Sequence, residues 1–295
     1  MRTWLLAVDG SPNGDRAADY AARWARRLRV DEVVVCNVQP LGSYRAYALN
    51  REQMLADADE RAAQAAAHAR MRLRFAGIPH RLVTGLDDPA ESIVAAARSA
   101  HAGEIVLGSR GLSTLGHLAL GSVAYKVVHL ADVPVTVAGG PHREPAPPDD
   151  NGDGAHRILL ALDGSAHSER AARYVVALAD AGVPIEATLL NVQPPLLAGE
   201  VSRLVSAETL EALHREAGEA ALAPARRLLA GHDVRVEARV ASGDAGETIA
   251  QVADDAACTR IVMGARGLGK LATLVLGSVA YKVVQLATRP VTLVR

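Results

Sequence analysis

The chain is written twice. Sliding it on itself by 154 residues lays LLAVDGS (Leu5–Ser11) over LLALDGS (Leu159–Ser165), and Asn37-Val38-Gln39-Pro40 over Asn191-Val192-Gln193-Pro194. A shift of 156 aligns the remainder: Gly108 with Gly264, Gly121 with Gly277, Pro134-Val135-Thr136 with Pro290-Val291-Thr292. The segment LGSVAYKVV recurs letter for letter at Leu120–Val128 and Leu276–Val284. A repeat is one structural unit spelled again, so any fold proposed for one copy must also suit the other. The two shifts differ by two residues, which predicts a small insertion in the second copy, in the helical stretch after Pro194. Between the copies, GPHREPAPPDDNGDGAH (Gly140–His156) is rich in prolines, glycines and acids, a composition of extended or flexible linkers. We therefore expect domains at 1–141 and 155–295 with a linker at 142–154.

Within each copy apolar runs alternate with helical patterns. Leu5–Val8 is a short apolar run ending in Asp-Gly-Ser, which predicts a buried parallel strand and a turn. Strands follow at Val33–Val38, Arg81–Thr84, Ile105–Leu107 and Val135–Val137. Helices are expected at Asp15–Leu28, Arg51–Ala76, Pro89–Ala102 and Ser122–Leu130. The second copy repeats the strands at Ile158–Leu162, Thr188–Val192, Arg235–Val240, Arg260–Met263 and Val291–Val294. Such alternation predicts an α/β protein of two tandem doubly wound domains. Each is a five-stranded parallel sheet of order 3-2-1-4-5 with helices on both faces. Ligands of such sheets bind at the carboxyl ends of the strands, where the winding reverses.

That edge carries the chain's most specific pattern. After the fourth strand the copies read GSRGLSTLGHLALGS (Gly108–Ser122) and GARGLGKLATLVLGS (Gly264–Ser278), both Gly-x2-Gly-x9-Gly-Ser with Arg third. Glycines let the backbone approach an anion, and a helix opening at Gly-Ser offers free amides and a favourable dipole. Ser122 and Ser278 can cap that helix or donate a hydroxyl to a phosphate oxygen. Arg110 and Arg266 can add a charge-assisted bond. Two imitations are set aside: Gly264-x4-Gly269-Lys270 lacks the hydroxyl of a P-loop because Leu271 follows. Gly267-x-Gly269-x-x-Ala272 has no counterpart in the first copy, where Ser113 and Thr114 stand.

Asp9 and Asp163 end the first strand of each copy and admit two readings. Either could accept from an adenine amino group or ribose hydroxyl, or hold a metal through water; either could equally serve turn and N-cap chemistry. Val38 and Val192 could line an adenine pocket or fill the core. Tyr125-Lys126 and Tyr281-Lys282 read as packing and surface residues. His117 lies in the first loop with Thr273 in its place in the second, as a solvated histidine.

With these residues in view, the chain resembles the universal stress protein family over nearly its whole length, as a tandem of two such domains. The early Asp-Gly-Ser, the Gly-x2-Gly-x9-Gly-Ser loop and the closing Pro-Val-Thr strand carry the likeness. The resemblance implies an adenine nucleotide alpha hydrolase-like fold that binds ATP, with Mg2+. It implies nucleotide contacts at Ala7, Asp9, Val38, Leu107, Gly108, Arg110, Gly111, Gly121, Ser122 and Val123. The second copy's counterparts are Ala161, Asp163, Val192, Met263, Gly264, Arg266, Gly267, Gly277, Ser278 and Val279. It also implies domain pairing through the last strand, with other surfaces left for a homodimer.

Composition narrows the classes further. Net charge is −1, with 33 acidic against 32 basic residues, which gives no electrostatic case for nucleic acid or an anionic membrane. No apolar run approaches a membrane span, and the short N-terminal run reads as a strand, not a signal peptide. Cys36 and Cys258 are not equivalent in the repeat, so no disulfide framework follows and a cytoplasmic setting is expected. No nucleophile–base constellation is present. The expected function is nucleotide-dependent regulation in the stress response, through a protein partner of unknown identity, and not efficient catalysis; the alternatives are slow ATP hydrolysis or a nucleotide-independent partner-binding module.

Overall fold

The computed structural model describes residues 2–40, 51–111, 120–138, 155–195, 206–268 and 276–295. The chain divides into two compact units, Met1–Gly140 and Pro141–Arg295. The linker expected at 142–154 lies outside the described residues, as do His117, Thr273 and loop positions Ser113, Thr114, Gly269, Lys270 and Leu271.

The first unit runs β1 (Thr3–Ala7), α1 (Pro12–Trp24), β2 (Glu32–Gln39), α2 (Arg51–Ala65), α3 (Ala67–Phe75), β3 (His80–Leu86), α4 (Pro89–Ser99), β4 (Glu104–Gly108), α5 (Ser122–Leu130) and β5 (Val135–Ala138). Its strands are all parallel in the order β3-β2-β1-β4-β5. The second unit runs β6 (His156–Ala161), α6 (Ala166–Asp180), β7 (Ile185–Gln193), α7 (Ala207–Leu229), β8 (Val234–Ser242), α8 (Ala245–Asp255), β9 (Arg260–Gly264), α9 (Ser278–Leu286) and β10 (Val291–Val294). Its parallel order, β8-β7-β6-β9-β10, is the same plan.

The register also repeats. Ile105 faces Val135 and Leu107 faces Val137, as Ile261 faces Val291 and Met263 faces Leu293. Helices on both faces bury both sides of the central strands, so β1 and β6 carry apolar runs and not an alternation. Leu5, Leu6, Leu159 and Leu160 are fully buried, each stabilising its unit by about 1.5–3 kcal/mol. Trp4 is fully buried too and stacks on Tyr20 of α1, ring centroids 5.8 Å apart. The buried polar groups differ between units: Thr136 Oγ1 donates to Glu104 in the first. At the place of Glu104 in the second stands Arg260, which donates to the Tyr174 hydroxyl at 2.6 Å.

Helix starts follow their caps. α1 begins three residues before the expected Asp15, because the Ser11 side chain accepts from Gly14 N–H at 3.1 Å and Pro12 fits the first turn. Ser165 caps α6 in the same way, through Ser168 N–H. Asp88 caps α4 and Asp244 caps α8. The single helix expected over Arg51–Ala76 is instead α2 and α3, divided at Ala66, where ψ opens to −3° while i→i−4 bonds persist on both sides. Past that point α3 leans on α1, burying Ala69 and Leu73, with Arg72 Nε donating to Asp19. The counterpart α7 is continuous. Gly10 and Gly164 turn the chain after each first strand with φ of 77° and 79°, and a Cβ on them would lie 3.5 Å from Ala65 Cα and Ala221 Cα. The offset of 156 is thus already established at Ala221, which confines the insertion to the stretch between Pro194 and that residue.

Candidate functional site

In the first unit a cavity of about 280 Å³ opens at the carboxyl ends of β1, β2 and β4. All ten residues singled out in this copy line it: Ala7, Asp9, Val38, Leu107, Gly108, Arg110, Gly111, Gly121, Ser122 and Val123. Its lining is of two chemical kinds: apolar side chains from the end of β2 and from α4, among them Val38, Pro89 and Ile93, and the glycine loop with the start of α5.

The loop's geometry explains its glycines. Gly121 N–H donates to Ser109 carbonyl at 2.7 Å, closing the loop at its base, and Gly277 N–H does the same to Ala265 at 2.9 Å. A Cβ on Gly111 would lie 2.5 Å from Asp9 Oδ2, and one on Gly267 would overlap Asp163 Oδ2. The aspartates take the turn half of the two readings, and they also pack against the loop. Asp9 Oδ1 accepts from Ser11 N–H at 3.0 Å in an Asx turn, while its other oxygen presses on the loop. In the second unit Asp163 Oδ1 accepts from Ser165 N–H at 3.0 Å and Oδ2 from Leu268 N–H at 3.1 Å, tying the first strand's turn to the loop.

The expected capping role of Ser122 and Ser278 is corrected. The N-caps of α5 and α9 are Gly121 and Gly277, with no side-chain cap hydrogen bond. The serines stand one residue inside, exposed, in the first helical turn. α1, α4, α6, α7 and α8 all have a side-chain cap. Among the described residues, the helices fed by the glycine loops thus open on a glycine cap with no side-chain hydrogen bond to their first-turn amides. Val123 and Val279, each more than a third exposed, follow on the same turn.

The second set of residues falls on equivalent elements. Ala161 ends β6 directly opposite Met263 of β9, as Ala7 faces Leu107. Val192 lies near the end of β7, and Gly277, Ser278 and Val279 open α9. A Cβ on Gly277 would meet Arg266 Cα at 3.3 Å, as one on Gly121 would meet Arg110 Cα.

Several residues of the site escaped the sequence reading. Asn37, buried, donates through Nδ2 to Val8 carbonyl at 2.8 Å and accepts from Gln39 Nε2 at 2.7 Å. Asn191 repeats this with Leu162 and Gln193. The identical Asn-Val-Gln-Pro of both copies was the available signal: its amides fasten the ends of the first two strands where the cavity opens. Lys126 Nζ bonds Asp88 at 3.1 Å, and Lys282 Nζ bonds Asp244 and Glu247 at 3.0 and 2.9 Å. Those lysines are surface residues, as expected, but they also tether the loop-fed helix to the cap of its neighbour. The Asp88 carboxyl is held below its usual range by Glu91 N–H and Lys126. Pro89 and Ile93 had no local signal; only the β3–β4 crossover brings α4 over the site.

The family model described as the universal stress protein family matches residues 1–139 and again 154–295. The chain belongs to that family. A universal stress protein of Mycolicibacterium smegmatis is 30% identical over 307 aligned residues, covering 99% of this chain and 96% of the relative. A universal stress protein of Thermus aquaticus is 37% identical over 136 residues, 46% of this chain and 96% of its own length. Among solved structures, a universal stress protein from Archaeoglobus fulgidus superposes with a TM-score of 0.68 at 23% identity, covering 99% of this chain and 98% of that one. That likeness is one of fold. It matches the tandem of doubly wound α/β domains described above.

Proposed function

We propose that this universal stress protein binds adenine nucleotide, ATP with Mg2+, at the carboxyl edge of each sheet. Occupancy, on this reading, adjusts its conformation or its partners, and rapid turnover is not its role. The observation that carries the reading is the first unit's cavity, lined both by apolar side chains that suit a base and by a glycine loop feeding a helix without a side-chain cap. The base would lie against Val38, Pro89 and Ile93. Phosphates would take the amides of the Gly121–Val123 turn, the Ser122 hydroxyl and the Arg110 guanidinium. The groups offered to the phosphates are donors, suited to holding charge. The nearest carboxylates, Asp9 and Asp163, are already engaged with backbone N–H groups, which argues against either as a free general base. A homodimer in the cytoplasm belongs to the same reading, with light scattering its check.

Calorimetric titration of nucleotide-stripped protein with Mg-ATP tests it. Saturable binding at two sites per chain is expected, each abolished by its own loop variant, Gly121→Leu or Gly277→Leu. Gly121 has ordinary extended angles, φ −67° and ψ 158°, so the leucine would block the loop without straining the backbone. Unchanged affinity in the double variant, or no binding by the unaltered protein, would overturn the reading.

A further inference from the structure

The two loops share their glycines but not the residue packed against the first of them. Asn13 is the second residue of α1, and His167 is the second residue of α6. A Cβ on Gly108 would meet the Asn13 carbonyl carbon at 2.6 Å, and one on Gly264 would meet His167 Cβ at 2.7 Å and Arg266 carbonyl at 2.8 Å. Both residues therefore back directly onto the start of the loop.

Their electrostatic settings differ. Asn13 Oδ1 accepts from Arg16 Nη2, an uncharged partner for that cation. In the second unit Arg170 stands in the place of Arg16 but has a histidine beside it, and Arg295 stands where the first copy has Gly139. The imidazole of His167 thus interacts with Arg170 from its own helix, Arg266 from the loop after β9, and Arg295 beyond β10; the opposing carboxylate is Asp163, from the turn after β6. Burial first, then Arg170 and Arg266, disfavour its proton, so its pKa lies below the ordinary histidine value; Asp163 only partly offsets this.

We propose that His167 makes the phosphate end of the second unit a proton-coupled polyphosphate site. A triphosphate arriving among these cations reverses the local field, and the imidazole takes up one proton from solvent. The second site then favours ATP over AMP more strongly than the first, where Asn13 has no proton to gain. This rests on the nucleotide reading above.

The sign follows from linkage. If the anion raises the histidine's affinity for a proton, binding consumes protons between the free-site and bound-site values, and affinity strengthens as pH falls through that window. Protonation of ATP itself, near pH 6 for a phosphomonoester, works in the opposite direction. It is common to both sites, so their comparison isolates the histidine. A nearby opposite charge shifts a pKa by about 1–3 units, and each unit is tenfold in affinity.

The experiment uses the full chain carrying Gly121→Leu, so that only the second site is open. ATP is titrated calorimetrically at pH 7 in two buffers of different ionisation enthalpy, then at pH 6 and 8. The expected result is uptake of about half to one proton per ATP. Affinity at pH 6, relative to pH 8, should improve about tenfold more than in a His167→Asn variant. In that variant uptake vanishes and the preference for ATP over AMP falls by a similar factor. His167→Gln, closer in size, serves where the asparagine variant is unstable. The reciprocal Asn13→His, in a Gly277→Leu background, should create proton uptake at the first site. Two outcomes overturn the inference and leave the nucleotide reading standing: ATP binding by the Gly121→Leu protein without uptake, or uptake that survives loss of His167. Binding confined to the first site overturns the inference and cuts the nucleotide reading back to the first unit. Failure of the unaltered protein to bind any ATP overturns both.

Discussion

Gly111→Ala isolates the contact between the aspartate and the loop. Gly111 is not among the positive-φ glycines, so alanine there meets no backbone strain, and in open space it would stabilise by about 0.4–1 kcal/mol through the unfolded state. The space is not open: the new methyl would stand 2.5 Å from Asp9 Oδ2 and 3.7 Å from its Cγ. Relief requires either that Asp9 swing away, straining its 3.0 Å bond from Ser11 N–H at the start of α1, or that the loop lift. A hydrogen bond to a charged group contributes about 1.5–3 kcal/mol, and overpacking costs about 1–3 kcal/mol. A net loss of about 1–3 kcal/mol follows, with ATP affinity reduced about tenfold where the loop moves. Tryptophan fluorescence in a urea titration reads this unit alone, because both tryptophans, Trp4 and Trp24, are buried in it. In an Asp9→Ala background the same substitution should cost less than about 0.5 kcal/mol, because the carboxylate is gone. A neutral Gly111→Ala, or an equal cost with and without Asp9, would refute the steric account.

Asn37→Ala removes a buried bond to Val8 carbonyl and should cost about 1–3 kcal/mol in the same urea assay; a change within 0.5 kcal/mol would show that the strand-end tie is dispensable. Asp88→Ala should cost about 1 kcal/mol as a lost helix cap. Because the folded-state pKa of Asp88 is lowered, its contribution is present above the unfolded value near 3.9 and is lost as pH falls through the folded one. The variant's acid-unfolding curve should therefore converge on the unaltered protein's at the lowest pH. Burial pushes the Cys36 thiol up to about 12 and the Cys258 thiol up to about 11, so an aromatic disulfide reagent at pH 8 should find neither in native protein and both after denaturation.

How much was legible beforehand depended on where each signal resides. Strands such as Leu5–Val8 and Ile105–Leu107 were readable because burial on both faces leaves an unbroken apolar run. The glycine-loop pattern was readable because close packing at Gly108 and Gly111 leaves no room for a side chain, and duplication displayed the demand twice. The division at Ala66 was not, since it lies in an alanine-rich stretch without a helix breaker and answers to α1, a tertiary partner. Asp9 could not be assigned from sequence alone because its turn bond to Ser11 N–H and its packing against Gly111 are tertiary facts that the Asp-Gly-Ser spelling does not separate. Pro89 and Ile93 lie far along the chain from the glycine loop and join it only through the path of the crossover. Ser122 misled for a local reason: a serine next to a glycine at a helix start reads as a cap, but here the glycine takes that place.

The identical register of β4 with β5 and of β9 with β10 makes the two halves interchangeable at a defined seam. A genetic exchange within the repeated LGSVAYKVV would join the first 120 residues to the last 19. The shortened chain would bring Val291 opposite Ile105 and Leu293 opposite Leu107, each in the place of the valine it replaces. Glu104 would still meet a threonine, Thr292 for Thr136, and Asp9, Gly108 and Arg110 would still face a Gly-Ser helix start. A tandem gene of this kind carries a ready deletion route back to a single-domain protein with its loop intact, at a length close to that of the Thermus aquaticus relative.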